Sequence, residues 1–162
     1  MEKIMFLGAC EKSDILLYLS KILAAAEKKI LLVDATLEQK YFLSYPVADQ
    51  EDVLTELNGF DIVRGCKSFD ELKKVFKKKS EDLDSYDFVI IDTNDPENVR
   101  SWGEVSNHFL VTNFERYTIE KNVQLLESYI TDRSIEPIKF DLIVHPYVDC
   151  MLDTDYLKST VS

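Results

Sequence analysis

A lysine and a hydroxyl stand side by side at Lys12-Ser13, just past a short apolar run, Ile4-Met5-Phe6-Leu7, and a glycine, Gly8. Those residue types in that order can do phosphate chemistry. A glycine at a strand end lets backbone N–H groups face an anion, a lysine reaches the outer phosphates, and a hydroxyl ligates Mg²⁺. Most of the usual glycines are missing here, and Glu11 sits where the glycine before the lysine belongs. Two acids close other apolar runs: Asp34 after Ile30–Val33, and Asp92 after Phe88–Ile91. An acid at a strand end can hold Mg²⁺ through water, but acids also end strands simply because the chain reaches solvent there. Likewise, Ser13 and Asp14 favour a helix start by capping and dipole alone.

The elements that must position these residues follow from apolar spacing. Ile15, Leu16, Leu19, Ile22, Leu23 and Ala26 lie on one face of a helix over Ser13–Glu27. The runs Ile4–Leu7, Ile30–Val33, Phe88–Ile91, Phe109–Val111 and Leu142–Val144 are continuous rather than alternating, which marks strands buried on both faces. Helices are expected over Phe69–Lys79 and over Tyr117–Ile130, the latter with Ile119, Val123, Leu126 and Ile130 aligned. Asp49–Leu57 reads as a further helix, Phe60–Val63 as a short strand, and Asp153–Leu157 as the start of a last helix. Strands alternating with helices imply right-handed crossovers and a mostly parallel sheet. The expectation is one domain over residues 1–162, a three-layer α/β/α sandwich with five parallel core strands.

Composition narrows the function classes. The 162 residues carry a net charge of −11, from 30 acidic and 19 basic side chains, which argues against direct nucleic-acid binding. The one basic run, Lys73, Lys74, Lys77, Lys78 and Lys79, has the spacing of a solvated helix face. Cys10, Cys66 and Cys150 form no paired motif, which fits a reducing cytoplasm. No apolar stretch is long enough to span a bilayer, and the N-terminal one is too short for a signal peptide. A cytoplasmic protein is expected.

The order of the motifs resembles the MinD/ParA group of P-loop ATPases, which includes the pilus-assembly protein TadZ. Leu7-Gly8-Ala9-Cys10-Glu11-Lys12-Ser13 is similar to that group's deviant loop, Lys-Gly-Gly-x-x-Lys-Ser/Thr. Ile30–Thr36 is similar to its second strand with an Asp-x-Asp ending. Tyr86-Asp87-Phe88-Val89-Ile90-Ile91-Asp92-Thr93 is close to Tyr-Asp-aliphatic-Ile-Ile-Asp-Thr, the most specific match. Phe109–Asn113 and Phe140–His145 sit like two later strands. The resemblance implies a P-loop NTPase fold with ATP and Mg²⁺ as cofactors. It also implies binding by Gly8, Lys12, Ser13, Asp34 and Asp92, with Ser13 and Asp92 serving the metal. Members continue beyond this point by a strand and further helices, so a trimmed C-terminal end is expected.

The departures from that pattern matter as much. Leu7 replaces the lysine that reaches a dimer partner's nucleotide, and Ala9 the second glycine. Thr36 replaces the acid that positions the attacking water, Glu97 follows Pro96 where a switch glycine is usual, and His145 replaces a base-reading Asn. Electrostatic stabilisation of the transferring group is usually the largest catalytic term, so hydrolysis should be badly impaired, and no catalytic residue is assigned. The expectation is a domain that works by binding protein partners in localisation, partition, pilus or secretion assembly. The alternative is an active ATPase that forms a homodimer with nucleotide. A receiver-like regulator fits less well, because Lys139 precedes the fifth strand.

Several residues carry two readings. Glu11 either stands in for a phosphate, pairing with Lys12, or points to solvent and helps cap the helix. Cys10 near Lys12 could have a lowered thiol pKa, although no histidine base is close in sequence. His108 and His145 lack metal-ligand spacing and read as structural. Trp102 and the tyrosines are candidate interface anchors. Tyr41, Phe42 and Tyr45 either belong to a switch region or pack on the sheet edge.

Overall fold

The computed structural model describes residues 1–41, 53–130 and 139–146. Strands β1 (Glu2–Leu7), β2 (Ile30–Asp34), β3 (Leu54–Leu57), β4 (Phe60–Arg64), β5 (Phe88–Thr93), β6 (Asn107–Thr112) and β7 (Phe140–Val144) form one sheet in the order β3-β4-β2-β5-β1-β6-β7. Every pairing is parallel except β3 with β4. Helices α1 (Ser13–Ala25), α2 (Phe69–Lys79) and α3 (Arg116–Ile130) supply the outer layers.

Side chains alternate across the sheet and build two cores. Phe6, Ile30, Leu32, Ile62, Ile90 and Val111 pack against Leu16 of α1. Their neighbours Met5, Leu31, Val33, Val89, Ile91 and Leu110 pack on the opposite face against Leu72 and Phe76 of α2 and Leu125 of α3. All five residues of β2 are buried, as a central parallel strand covered on both faces requires. The three-layer sandwich is therefore as expected, with one strand, β3, beyond the five core strands and the short Phe60–Val63 strand read from the sequence.

The clearest correction lies at the sheet's edge. The helix expected over Asp49–Leu57 is not there in its described part: Leu54–Leu57 is strand β3, paired antiparallel with β4. The two strands join at Asn58-Gly59, both with positive φ, 50° and 92°. That is the signature of a type I′ hairpin, for which Asn-Gly is the preferred pair. On α3 the buried side chains are Thr118, Ile119, Asn122, Leu125, Leu126 and Tyr129, whereas Val123 is only half-buried. β6 extends beyond the apolar run Phe109–Val111 at both ends, from Asn107 to Thr112. The reading of Asp153–Leu157 lies outside the described residues.

Helix α2 shows how local sequence sets an element. Ser68 at its N-cap accepts the Glu71 N–H, and Glu71 reaches back to the Lys67 N–H. Asp70 and Glu71 open the helix and Lys77, Lys78 and Lys79 close it, matching the helix dipole. Its five lysines are all exposed. Among the described residues no helix is long and apolar enough to cross a membrane.

Candidate functional site

Parallel register brings the acids together. Asp34 and Asp92 are Cα partners on neighbouring strands, and Phe6 on β1 pairs with Asp92 from the other side. The loop after β1 therefore starts beside both carboxylates, at the sheet's carboxyl edge, where open α/β sheets bind ligands. Gly8 permits that loop's path. A Cβ at Gly8 would lie 2.1 Å from the Val111 carbonyl oxygen, closer than any real contact.

Lys12 does not face solvent. Its side chain is 2% exposed, and its ammonium donates to the Gly8 carbonyl at 2.6 Å and the Cys10 carbonyl at 3.4 Å. It also lies 3.0 Å from Asp92 Oδ1. The other Asp92 oxygen accepts the buried Tyr41 hydroxyl at 2.7 Å. Burial, and then the charge of Asp92, push the Tyr41 phenol well above its ordinary range, so it stays a donor. The Asp92 carboxylate thus has two cationic or O–H partners inside the protein.

Asp34 is equally enclosed. Its Oδ1 accepts the Thr36 N–H and hydroxyl, and its Oδ2 accepts the Tyr41 N–H. Burial raises the Asp34 pKa against the pull of Thr36. Ser13 turns its hydroxyl to Glu11 Oε1 at 2.6 Å, and its N–H to the same oxygen at 3.1 Å. Glu11 Oε2 meets Lys40 at 2.8 Å.

Several expectations need correction here. Of the two readings of Glu11 the capping one holds, and the pairing one does not: Asp92, not Glu11, pairs with Lys12. The Glu11 carboxylate instead caps the start of α1, which has no side-chain cap from Lys12 itself, and it ties down Lys40. The Cys10 thiol is raised, not lowered, because burial outweighs the nearby lysine. Trp102 is no surface anchor, being wholly buried. Tyr41 sits in the α1-side core with Phe6 and Leu16; Phe42 and Tyr45 lie outside the described residues. Leu7 is also wholly buried. His108 bonds the Tyr129 hydroxyl at 2.9 Å, and His145 lies 3.1 Å from Asp14.

One site residue had no sequence signal. Asn122 on α3 is fully buried; it accepts the Ala9 N–H at 2.7 Å and donates to the Val111 carbonyl at 3.0 Å. It fixes the loop to α3. A polar residue among the mostly apolar buried positions of α3, one turn after Thr118, was the only hint.

The space left is small. A cavity of about 30 Å³ lies among Cys10, Glu11, Lys12, Thr36, Tyr41 and Asp92, room for a water or two. As placed, these groups do not fit a bound triphosphate: the lysine is spent on protein oxygens and the hydroxyl on a carboxylate. Among the described residues no cluster of three or more His, Cys, Asp or Glu could hold a metal. A wider groove of about 540 Å³ runs beside the loop, lined by Ala9, Leu37, Asn94, Pro96, Tyr117 and Leu125 among others. Leu37 and Tyr117 on its walls are 60% and 68% exposed.

No protein-family model matches the sequence, and no curated protein matches it. Solved structures do. A chain of the MinC:MinD cell division protein complex of Aquifex aeolicus superposes with a TM-score of 0.68 at 16% identity, over 99% of this chain and 78% of that one. A ParA family ATPase from Chlorobium tepidum gives 0.67 at 14% identity, over 99% and 81%. A putative plasmid partition protein of Borrelia burgdorferi, solved with AMPPNP, gives 0.50 at 13% identity, over 98% and 94%. Likeness at such low identity speaks for architecture, and with the strand order and the loop after β1 it identifies the chain as having the MinD/ParA-type P-loop NTPase fold.

Proposed function

We propose that this chain is a degenerate member of the MinD/ParA group, cytoplasmic and impaired in ATP hydrolysis. In this reading it acts by binding protein partners in localisation, partition, pilus or secretion assembly. One observation carries the reading. The Lys12 ammonium, which should meet a polyphosphate, is buried against Gly8, Cys10 and Asp92. Breaking those contacts to admit a ligand leaves Asp92 as a buried charge short of its partner, which is strongly unfavourable.

Two further features support it. Leu7 is apolar and buried where the family's lysine would reach a partner's nucleotide, and Thr36 holds Asp34 rather than adding a second carboxylate. Partner binding draws support from the exposed Leu37 and Tyr117 on the wide groove, and from a like-folded chain solved within a MinC:MinD complex.

The test is steady-state turnover of ATP by the purified chain with Mg²⁺. Negligible turnover is expected. A rate of roughly 1 s⁻¹ or more, within the ordinary enzyme range, that disappears when Mg²⁺ is chelated would overturn the reading.

A further inference from the structure

The Lys12 site is closed by a second segment as well as by its own loop. Residues 35–41 leave β2 and face the loop across the small cavity, with Thr36, Glu38, Lys40 and Tyr41 on one side and Ala9–Lys12 on the other. Their anchors are of two kinds. At the root, Ala35 donates to the Asp92 carbonyl, Leu37 donates to Asn94, and Thr36 accepts the Gln39 N–H. At the far end, the Tyr41 hydroxyl reaches Asp92 and the Lys40 ammonium reaches Glu11. The root contacts belong to this segment and the sheet. The far-end contacts join it to the loop after β1 and to Asp92, the carboxylate beside Lys12, and the Tyr41 N–H adds a bond to Asp34.

We propose that residues 35–41 are an autoinhibitory strap that shuts the Lys12–Asp92 site, latched by Tyr41 onto Asp92 and by Lys40 onto Glu11. The two latches differ in depth. Tyr41 is 1% exposed and its hydroxyl bonds a buried carboxylate. Lys40 and Glu11 are both about half exposed, 51% and 49%, so solvent screens them and their contribution is small. Tyr41 is the bolt and Lys40 a weaker clasp. A ligand that needs the open form binds with its intrinsic affinity reduced by the open fraction. Weakening a latch therefore strengthens binding, the reverse of what removing an ordinary contact residue does. The inference rests on the reading of this edge as a phosphate-type site, and it adds what keeps that site shut.

The test uses the full chain, inorganic tripolyphosphate with Mg²⁺ as probe in a calorimetric titration, and amine acylation of Lys12 followed by mass spectrometry. In the parent, Lys12 should resist acylation. Tyr41→Phe keeps the ring and deletes the hydroxyl. It should speed Lys12 acylation and tighten tripolyphosphate binding, each by about tenfold or more, the scale of one hydrogen bond to a charged group. Lys40→Met should move both the same way by about twofold, the scale of an exposed ion pair. If Tyr41→Phe does not fold, Lys40→Met alone decides on the same two readouts. Unchanged acylation, or faster acylation with unchanged tripolyphosphate affinity, overturns the strap. Fast ATP turnover by an opened variant would instead overturn the impaired-hydrolysis reading and leave the strap standing.

Discussion

Lys12→Met should destabilise this protein's fold, whatever it does to ligand chemistry. In a site built for phosphate the lysine is held ready for its ligand, so its loss weakens binding and spares the fold. Here the ammonium lies 3.0 Å from Asp92 with both side chains at most 3% exposed. Methionine conserves the stem but strands the Asp92 carboxylate and two carbonyl oxygens. Removing one partner of a buried pair costs about 3–5 kcal/mol. The Tyr41 hydroxyl remains on Asp92, which places the expectation near the lower end, at about 3 kcal/mol. For a chain of this length that lowers Tm by roughly 6–12 °C. Urea unfolding followed by the fluorescence of Trp102, the sole and wholly buried tryptophan, measures it directly. Adding Asp92→Asn to Lys12→Met removes the stranded charge, so the double variant should recover part of the loss, and the cycle isolates the pair's coupling. A cost below about 1 kcal/mol for Lys12→Met, with additive double-variant behaviour, would refute the claim that the lysine is structural.

Gly8→Ala should also be severe, because its Cβ would sit 2.1 Å from the Val111 oxygen. A loss of at least about 1–3 kcal/mol, or failure to accumulate in soluble form, is expected, and normal urea stability would count against the packing. Glu11 gives a pH signature. Against the upward push of partial burial, hydrogen bonds from Lys40 and Ser13 draw its carboxyl from 4.5 down to about 2. A depressed carboxyl pKa stabilises the folded state above the unfolded value, and that share is lost as pH falls from about 4.5 through about 2. Because Glu11 is half exposed, the share should stay below about 1 kcal/mol and shrink in salt; a Glu11→Gln variant should show a shallower acid decline of Tm over that window, and an identical decline would contradict it.

The fold was legible where a single strand's own composition decides its place. Ile30–Val33 and Phe88–Ile91 are apolar on both faces, and only the centre of a covered parallel sheet accepts that pattern. β3 was not legible by this route, because it is an edge strand with one buried residue in four, and Val53, Leu54 and Leu57 have a spacing that also suits a helix. Its true signal was Asn58-Gly59, a turn signature that outweighs a short apolar pattern. At the site, residue types named Gly8, Lys12, Asp34 and Asp92, and register brings them to one edge. What no local pattern could supply was partnership. Lys12 meets Asp92 across 80 residues of sequence, and Tyr41 and Asn122 close the site from segments 51 and 113 residues distant from their partners.

Charge balance explains why closure suits this edge better than ligand binding. Asp34, Asp92, Glu11 and Glu38 converge there, against Lys12 and Lys40. Four carboxylates face two ammonium groups, on a chain whose net charge is already −11. A polyphosphate approaching alone would find an excess of negative charge, with the deeper cation already neutralised. The same excess stabilises the closed form, since each ammonium has a carboxylate within 3.0 Å. Mg²⁺ supplied with the probe would offset that excess, because its charge is greater than any single side chain's. Tripolyphosphate should therefore bind an opened variant more weakly when Mg²⁺ is withheld. Equal affinity with and without Mg²⁺ would mean that the carboxylates do not face the ligand, and that strap and site are not electrostatically linked.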